Sequence, residues 1–247
     1  MKIFDKYSMV YDLLYAEKDT KSEVIYLNNI LAKYGMHKAN ILEFGSGTGR
    51  HALELAKLGH VTHGIELSAA MVEQALKHVN CSYEVGNILN IDLERTFDCV
   101  MSNFHVASYQ ISNANITSFF SAANRHLRKG GKFIFDYWYT PAVYEQKPQV
   151  RVKKVENLEI QVTRTAQPKI CYRDNRVTID YTLFVKDKIN NSIHTFSETH
   201  ILRHFSIPEL ELLAKNTGFK LISSFEPMTH NEPSGNSWGV ISIFEKT

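Results

Sequence analysis

The sequence has few cysteines and no long uninterrupted apolar run. Its 247 residues include three cysteines, Cys81, Cys99 and Cys171, which are odd in number and lie far apart. This pattern argues against a disulfide framework or a cysteine-based zinc site, and it suits a reducing compartment. No stretch approaches the roughly 18 apolar residues of a membrane span, and the N-terminus lacks a secretory cleavage pattern. We therefore expect a cytoplasmic protein without a membrane partner.

The sequence also lacks an excess of charge of one sign. Its 28 Lys and Arg residues nearly balance its 26 Asp and Glu residues, which gives a formal net charge of +2. The densest basic cluster is the short run RVKK at 151–154. Binding to nucleic acid normally requires a concentrated basic patch, so we expect no nucleic-acid partner.

Residues 39–138 alternate between two patterns of apolar residues. ANILEF (39–44) is a short apolar run, whereas RHALELAKLGH (50–60) has helical spacing and stops near a glycine. This pair of patterns indicates a buried strand followed by an amphipathic helix, and it recurs up to the apolar run KFIFDYW (132–138). The last helix before that run is predicted to end at the glycine pair 130–131. The alternation predicts an α/β domain with a parallel sheet covered by helices on both faces.

The flanking segments have different patterns. Ser22 to Gly35 has the apolar stripe of a helix that precedes the first strand. After Pro141, four runs of period-2 alternation follow without a helix between them, which predicts an added antiparallel sheet. Ser206 and Glu209 have the spacing of a capping box, so a helix is predicted to begin there, with two final strands after it.

The stretch ILEFGSGTGRHALELAKLGHVTHGIEL (41–67) combines alternate glycines with two acidic residues. Gly45, Gly47 and Gly49 form GxGxG, which lets the backbone turn sharply and approach a ligand at a helix N-terminus. Glu43 would repel a pyrophosphate but could accept hydrogen bonds from an ammonium group. Glu66, at the end of the second predicted strand, could hold both hydroxyls of a ribose. The alternative for the glycines alone is an ordinary tight turn.

Residues 39–138 resemble the class I S-adenosylmethionine-dependent methyltransferases. LEFGSGTGR (42–50) is similar to the family's first motif, and GIELSAAMVEQA (64–75) is similar to its ribose-binding strand end and the following helix. The resemblance implies a Rossmann-like, seven-stranded, doubly wound sheet whose last strand is antiparallel. It also places Asn87 where the family commonly has an aspartate that binds the adenine. The implied S-adenosyl-L-methionine site consists of Tyr11, Glu43, Gly45, Ser46, Gly47, Gly49, Glu66, Leu67, Met71, Asn87, Ile88 and Asn103.

Most of the chain further resembles the nucleotide-linked amino-sugar N,N-dimethyltransferases. The resemblance rests on segments such as YDLLYAEKDTKSE (11–23), FDYWYTPAVY (135–144) and EPSGNSWGVISIF (232–244). It implies a nucleotide-linked sugar as the small-molecule substrate, bound beneath the inserted sheet with its amine facing the cofactor's methyl group. The domains expected are an N-terminal helical lid (1–38), a core (39–145 and 206–247) and an inserted antiparallel sheet over the active site (146–205). A homodimer is left open.

Three tyrosines near the N-terminus fall at helical spacing. Tyr7, Tyr11 and Tyr15 lie at i, i+4 and i+8, and such an aromatic stripe commonly packs into a core. The resemblance favours a lid in which Tyr11 contacts the amino-acid part of the cofactor and the others lie near the sugar. The full set of substrate residues it implies is Tyr7, Tyr15, Phe104, Trp138, Glu198 and His200.

Methyl transfer from a sulfonium to a neutral amine requires positioning more than dedicated catalytic groups. His105, just after the fourth predicted strand, is the best-placed candidate base, with a structural histidine as the alternative. Tyr109 matches the position where the amino-sugar enzymes have a ring beside the substrate. We predict His105 and Tyr109 as the catalytic residues.

Three alternatives stay open at this point. An O-methyltransferase acting on a small metabolite would use His105 as its base. A non-catalytic cofactor-binding subunit would share the same glycine loop. Glu198, His200 and His204 alternate along a predicted strand, but paired zinc histidines usually lie on a helix, so no metal is expected.

Overall fold

The computed structural model describes residues 8–247, with side chains described from Val10 onward. The chain divides into two compact units. One comprises Asp19–Gln146 and His204–Thr247, and the other comprises Lys147–Arg203 with the N-terminal stretch up to Lys18. Within the described part, no helix has the length and apolar character that crossing a membrane would require.

The larger unit, here called the core unit, contains one sheet of seven strands with flanking helices. The strands are β1 (Asn40–Phe44), β2 (Val61–Glu66), β3 (Cys81–Val85), β4 (Phe97–Ser102), β5 (Leu127–Trp138), β10 (Phe219–Phe225) and β11 (Gly239–Lys246). The helices are α2 (Thr20–Lys33), α3 (Arg50–Lys57), α4 (Ala69–Ala75), α5 (Asn113–His126), α6 (Thr140–Gln146) and α7 (Ile207–Asn216). A short 3-10 helix spans Val106–Tyr109.

The strand order in this sheet is β10-β11-β5-β4-β1-β2-β3. Strands β1 to β5 pair in parallel, while β11 runs antiparallel to both β5 and β10. The predicted Rossmann-like, doubly wound sheet with an antiparallel last strand is therefore confirmed. Its carboxyl edge carries the ends of β1, β2, β4 and β5, which is the edge where open α/β sheets bind ligands.

Aromatic packing holds α5 against the sheet. Phe119 and Phe120 lie on the buried face of α5, and Phe133 and Phe135 alternate along β5. The rings of Phe119 and Phe133 are 5.0 Å apart, and those of Phe120 and Phe244 are 5.2 Å apart. All of these side chains are fully buried. Burial of their apolar area stabilises the packing of α5 against β5.

The smaller unit, here called the insert unit, contains α1 (Ser8–Leu14) and four strands. The strands are β6 (Arg151–Glu156), β7 (Ile160–Cys171), β8 (Arg176–Asp187) and β9 (Ile193–Arg203), in the order β6-β7-β8-β9. Every neighbouring pair is antiparallel, which confirms the inserted antiparallel sheet. Val162 and Leu183 on one face are buried with Val10 and Leu14 of α1.

Several element boundaries differ from the sequence prediction. Helix α2 begins at Thr20, before the predicted Ser22, and is capped by Asp19, whose side chain accepts from the Ser22 N–H at 3.0 Å. Helix α5 ends at His126, and Gly130 lies within β5 with a φ of 76° instead of ending a helix. The Ser206 side chain makes no capping hydrogen bond at the start of α7. Helix α6 was not predicted at all.

The helical segment before β1 is divided between the two units. The sequence grouped residues 1–38 as one lid, whereas the structure groups α2 with the core unit. Residues Val24, Leu27 and Leu31 of α2 are buried in an apolar cluster with β1. That the inserted sheet covers the active site stays a prediction.

Candidate active site

The glycine loop after β1 adopts a left-handed backbone at all three glycines. The φ angles of Gly45, Gly47 and Gly49 are 70°, 55° and 80°. A Cβ at Gly45 would lie 2.7 Å from Val106, and one at Gly49 would lie 2.5 Å from the Tyr83 hydroxyl. These two glycines are therefore required by close packing within the protein and by backbone conformation.

Gly47 differs because the space beside it is open. Its nearest neighbour would be the Met71 sulfur, 3.9 Å from an added Cβ. Met71 is buried on α4, so its side chain is the nearest group on the open side of Gly47. This is the position in the loop where a ligand can approach the backbone.

Glu66 ends β2 and is directed toward the same loop. Its Oε2 accepts from the Gly47 N–H at 3.0 Å, and its Oε1 accepts from the Ser68 N–H at 2.8 Å. Burial raises the pKa of Glu66 above its ordinary value, and the backbone N–H donors offset part of that effect. The carboxylate is thus held in place while each oxygen keeps further lone-pair capacity for the hydroxyls of a ligand.

Glu43 and Asn103 meet because β1 and β4 are parallel neighbours. The register pairs Glu43 with Met101, which brings Asn103 to the end of β1. The Asn103 Nδ2 donates to Glu43 Oε1 at 3.2 Å, and Glu43 is almost fully buried. A buried carboxylate at this edge provides a negative site for a cationic amino group.

The remaining predicted cofactor residues of the core unit lie in the glycine loop and in the segments that follow β2 and β3. Ser46 is buried in the loop and its N–H donates to the Ile65 carbonyl at 3.2 Å, while Leu67 is exposed just after β2. Asn87 begins a turn, and its Oδ1 accepts from the Leu89 N–H at 3.0 Å. An amide oxygen has two lone pairs, so Asn87 Oδ1 can still accept from the amino group of an adenine. Ile88 follows in the same turn and is half-buried.

This donor set fits the S-adenosylmethionine implied by the resemblance. Gly47 leaves room for the ligand, Glu66 can accept from two ribose hydroxyls, and Glu43 can accept from an ammonium group. The three groups lie at the ends of the adjacent strands β1 and β2.

The segment after β4 carries the predicted catalytic residues in an unusual backbone conformation. Phe104 and His105 both have a φ of 63°, and neither is glycine. Non-glycine residues with such backbone angles carry strain and occur often at functional sites. His105 directly precedes the 3-10 helix that ends at Tyr109.

His105 is held by a carboxylate that the sequence analysis did not identify. Its backbone N–H donates to Asp136 Oδ1 at 2.9 Å, and its Nδ1 lies 2.9 Å from Asp136 Oδ2. The His105 ring also lies beside Trp138, with ring centres 6.4 Å apart. The only sequence signal for this pair was an acidic residue near the carboxyl end of an otherwise apolar strand, KFIFDYW.

Four predicted ligand residues belong to the insert unit. Tyr11 and Tyr15 contact each other, with ring centres 4.8 Å apart, and α1 ends one residue before Tyr15. Glu198 and His200 form a buried pair on β9, with Oε2 and Nε2 3.3 Å apart. Burial lowers the pKa of His200. Tyr7 lies outside the described residues, and the ligand contacts proposed for the other four stay predictions.

His204 does not join the Glu198 and His200 pair. It lies just beyond β9 in the core unit, where its Nδ1 is 2.9 Å from the Thr140 hydroxyl. Its ring packs edge-on against Tyr144. The predicted alternation of these three residues on one strand face therefore ends at His200.

Replacing Gly47 with alanine should weaken cofactor binding, because the new Cβ occupies the open side of the loop. A matched control is Gly35→Ala: Gly35 has a φ of 73° and also has space around it, but it follows α2. Both variants bear a similar backbone strain, on the order of 1 kcal/mol. By calorimetry, Gly47→Ala should lower the affinity for S-adenosylhomocysteine at least about tenfold, and Gly35→Ala should not. Equal affinities in the two variants would contradict the assignment of this loop.

Replacing Glu66 with alanine should weaken cofactor binding by about 1 to 3 kcal/mol, through the loss of charge-assisted hydrogen bonds. Glu84→Ala on the exposed face of β3 is the control. In the wild type, affinity should also weaken as the pH falls through the raised pKa of Glu66, since protonation removes an acceptor. Titrations across the acidic range should show this dependence in the wild type and a weaker one in Glu66→Ala. A wild-type affinity that stays constant over that range would count against the role.

Comparison with known proteins identifies a methyltransferase domain in the core unit. Residues 41–131 match the model of a methyltransferase domain. The chain is 23% identical over 215 residues to dTDP-3-amino-3,4,6-trideoxy-alpha-D-glucopyranose N,N-dimethyltransferase of Streptomyces venezuelae, covering 86% of this chain and 89% of that protein. It is 26% identical over 186 residues to dTDP-4-amino-2,3,4,6-tetradeoxy-D-glucose N,N-dimethyltransferase of Saccharopolyspora spinosa, covering 73% and 71%.

A solved structure has a similar fold. The crystal structure of an S-adenosylmethionine-dependent methyltransferase from Clostridium acetobutylicum superposes with a TM-score of 0.83 at 19% identity, covering 99% of each chain. At that identity the likeness concerns the fold, while the match of residues 41–131 concerns the activity. Residues 41–131 of this chain are a methyltransferase domain.

Proposed function

We propose that this methyltransferase N-methylates a nucleotide-linked amino sugar in the cytoplasm. The observation that carries the proposal is the pair of curated relatives, which are both named as dTDP-amino-sugar N,N-dimethyltransferases and span most of this chain. Their names place the amine at different carbons of the sugar. The proposal therefore specifies the class of acceptor, an amine on a nucleotide-linked sugar, and not the carbon that bears it.

The chemistry proposed for the site follows from the groups at the carboxyl edge of the sheet. When bound, S-adenosylmethionine supplies an activated methyl group on a sulfonium. Glu43, Gly47 and Glu66 hold the cofactor, with Asn103 fixing the Glu43 carboxylate. His105 and Trp138 flank the space beyond β4 and β5, where we place the acceptor amine. Alignment and exclusion of water then provide most of the rate acceleration.

The insert unit offers polar groups suited to a sugar nucleotide. Arg164 Nη1 donates to the Tyr15 hydroxyl at 3.1 Å, and its guanidinium carbon lies 5.0 Å from the centre of the Tyr181 ring. The buried Glu198 and His200 pair lies on the same face of the sheet, because Tyr181 pairs with Glu198 in the register of β8 and β9. A carboxylate accepts hydrogen bonds from sugar hydroxyls, and a neutral imidazole can donate one and accept one. We propose that this face contacts the sugar.

O-methylation of a small metabolite is the second candidate. One observation favours it, namely the contact between His105 and Asp136, because a hydroxyl nucleophile benefits from a positioned base more than a neutral amine does. The two functions differ in the acceptor they require, so a direct comparison of matched acceptors separates them.

The deciding experiment compares dTDP-linked amino sugars with the corresponding dTDP-linked hydroxy sugars. Each is incubated with the enzyme and S-adenosylmethionine, and mass spectrometry reports added methyl groups. Amino sugars carrying the amine at either of two carbons should be included. Methylation of an amino sugar, with the hydroxy sugars unchanged, is the expected result. Transfer to a hydroxy sugar only would favour the O-methyltransferase, and no transfer to any of them would overturn the proposed acceptor class.

Glu198→Gln should raise the KM for the amino sugar at least several-fold, because the buried pair loses its negative charge while keeping its shape. Cofactor affinity should stay unchanged, since no cofactor contact is assigned to Glu198. Glu159→Gln, in the exposed turn between β6 and β7, is the matched control on the same sheet. Steady-state kinetics at saturating cofactor give the KM values. An unaltered KM in Glu198→Gln would remove this residue from the acceptor site.

A further inference from the structure

Asp136 occupies a position that the sequence analysis left without a role. It lies near the end of β5, where the register pairs Ser102 of β4 with Phe135. This register brings the Asp136 carboxylate beside the segment that follows β4. We propose that Asp136 is a positioning residue that fixes the ring of His105, so that His105 Nε2 can accept a proton from the methyl acceptor.

The carboxylate holds His105 at two points. Asp136 Oδ1 accepts the His105 backbone N–H at 2.9 Å, and Oδ2 lies 2.9 Å from the ring Nδ1. The backbone bond stabilises a residue whose φ is 63°, a conformation that costs free energy for a side chain with a Cβ. The contact at Nδ1 is not aligned as an ideal hydrogen bond, and such contacts commonly improve when a ligand binds.

This contact sets which ring nitrogen carries the proton. A carboxylate 2.9 Å from Nδ1 favours a proton on that nitrogen, because an unprotonated Nδ1 would place two lone pairs against each other. A neutral His105 then has its free lone pair on Nε2. Within the described residues, no hydrogen bond to Nε2 is formed, and the side chain remains 28% exposed. The nitrogen that can accept a proton is therefore accessible.

Neighbouring rings restrict the orientation that Asp136 sets. The Phe104 ring stacks on His105 with centres 6.0 Å apart, and Trp138 packs edge-on at 6.4 Å. A Cβ at Gly239 of β11 would lie 3.2 Å from His105 Cε1, so this glycine gives the imidazole room. The ring is thus confined on several sides, with the Asp136 carboxylate against its Nδ1.

The role rests on the proposed N-methylation. An amine on a sugar is largely an ammonium near neutral pH, and it has no lone pair until a proton leaves. His105 Nε2 takes that proton, and the freed nitrogen pair then forms the bond to the methyl carbon. The carbon–sulfur bond breaks with its electron pair remaining on sulfur, which gives S-adenosylhomocysteine. The imidazolium then passes its proton to solvent. When His105 takes a proton from the methylated ammonium in the same way, the nitrogen can accept a second methyl group.

Asp136→Asn tests the proposal with little change in shape. The asparagine oxygen can still accept the His105 backbone N–H, but its NH₂ group would face Nδ1 and favour the tautomer with the proton on Nε2. We expect kcat to fall at least about tenfold, while the KM for the acceptor and the affinity for the cofactor change less than about twofold. In a His105→Ala background, Asp136→Asn should cause no further loss of kcat, since the two residues act as a unit.

Nitrogen-15 NMR of labelled histidine gives a readout that does not depend on turnover. The His105 signals, identified by their loss in His105→Ala, should show Nδ1 protonated in the wild type at a pH where the ring is neutral. In Asp136→Asn the proton should move to Nε2. The control is Asp98→Asn: Asp98 also accepts a backbone N–H, from Asn40 at 2.7 Å, but it lies at the opposite edge of the sheet. It should change neither the tautomer nor kcat.

Two results would overturn the proposal. One is a wild-type His105 that carries its proton on Nε2. The other is an Asp136→Asn enzyme that lowers kcat equally with and without His105, which would show a structural effect alone. If no amino sugar is methylated, the proposed acceptor class is wrong. The tautomer measurement still decides separately whether Asp136 orients the ring.

Discussion

The parallel pairing of β1 with β2 on one side and β4 on the other is the constraint on which this site depends. The chain leaves β1 toward β2 and β3, and it returns across the sheet to add β4 and β5 on the opposite side. The loops that follow β1 and β4 therefore diverge, and a crevice forms at the carboxyl edge between them. Glu43, Asn103 and the glycine loop all meet at this crevice because the backbone hydrogen bonds of the sheet fix their register.

The groups suited to the cofactor and those assigned to the acceptor lie at different strand ends of this edge. The β1 and β2 side carries the groups suited to the cofactor, with Gly47 and Glu66 joined by a direct hydrogen bond. The β4 and β5 side carries His105 and Asp136, which we assign to the acceptor. Because these pairs lie on different strand ends, a change in acceptor chemistry need not disturb the cofactor groups. Functional sites placed on rigid strand ends in this way keep their geometry while the neighbouring loops vary.

The cofactor half of the site could be predicted from the sequence because its signal is local. GxGxG, the preceding Glu43 and the following Glu66 all fall within one strand–loop–helix–strand unit, so spacing alone places them at one edge. Asp136 was missed because its partner His105 is 31 residues away, and only the register of β4 and β5 brings them together. The end of α5 was misplaced for a related reason. Glycines at 130 and 131 resemble a helix stop, but the packing of Phe133 and Phe135 draws them into the strand.

The identity of the acceptor depends less on the core unit than cofactor binding does. Methyl transfer to an amine needs an aligned nucleophile and a site for its proton, and the edge of the sheet can provide both for many amines. The two curated relatives are named for amines at different sugar carbons, yet both cover most of this chain. A difference of one ring position must then be recognised by groups that contact the sugar itself. In our proposal the sugar is contacted by the polar face of the insert unit, which carries Arg164 and the Glu198–His200 pair. Selectivity should therefore change with substitutions on that face, while substitutions at Glu66 should change affinity for the cofactor with every acceptor alike.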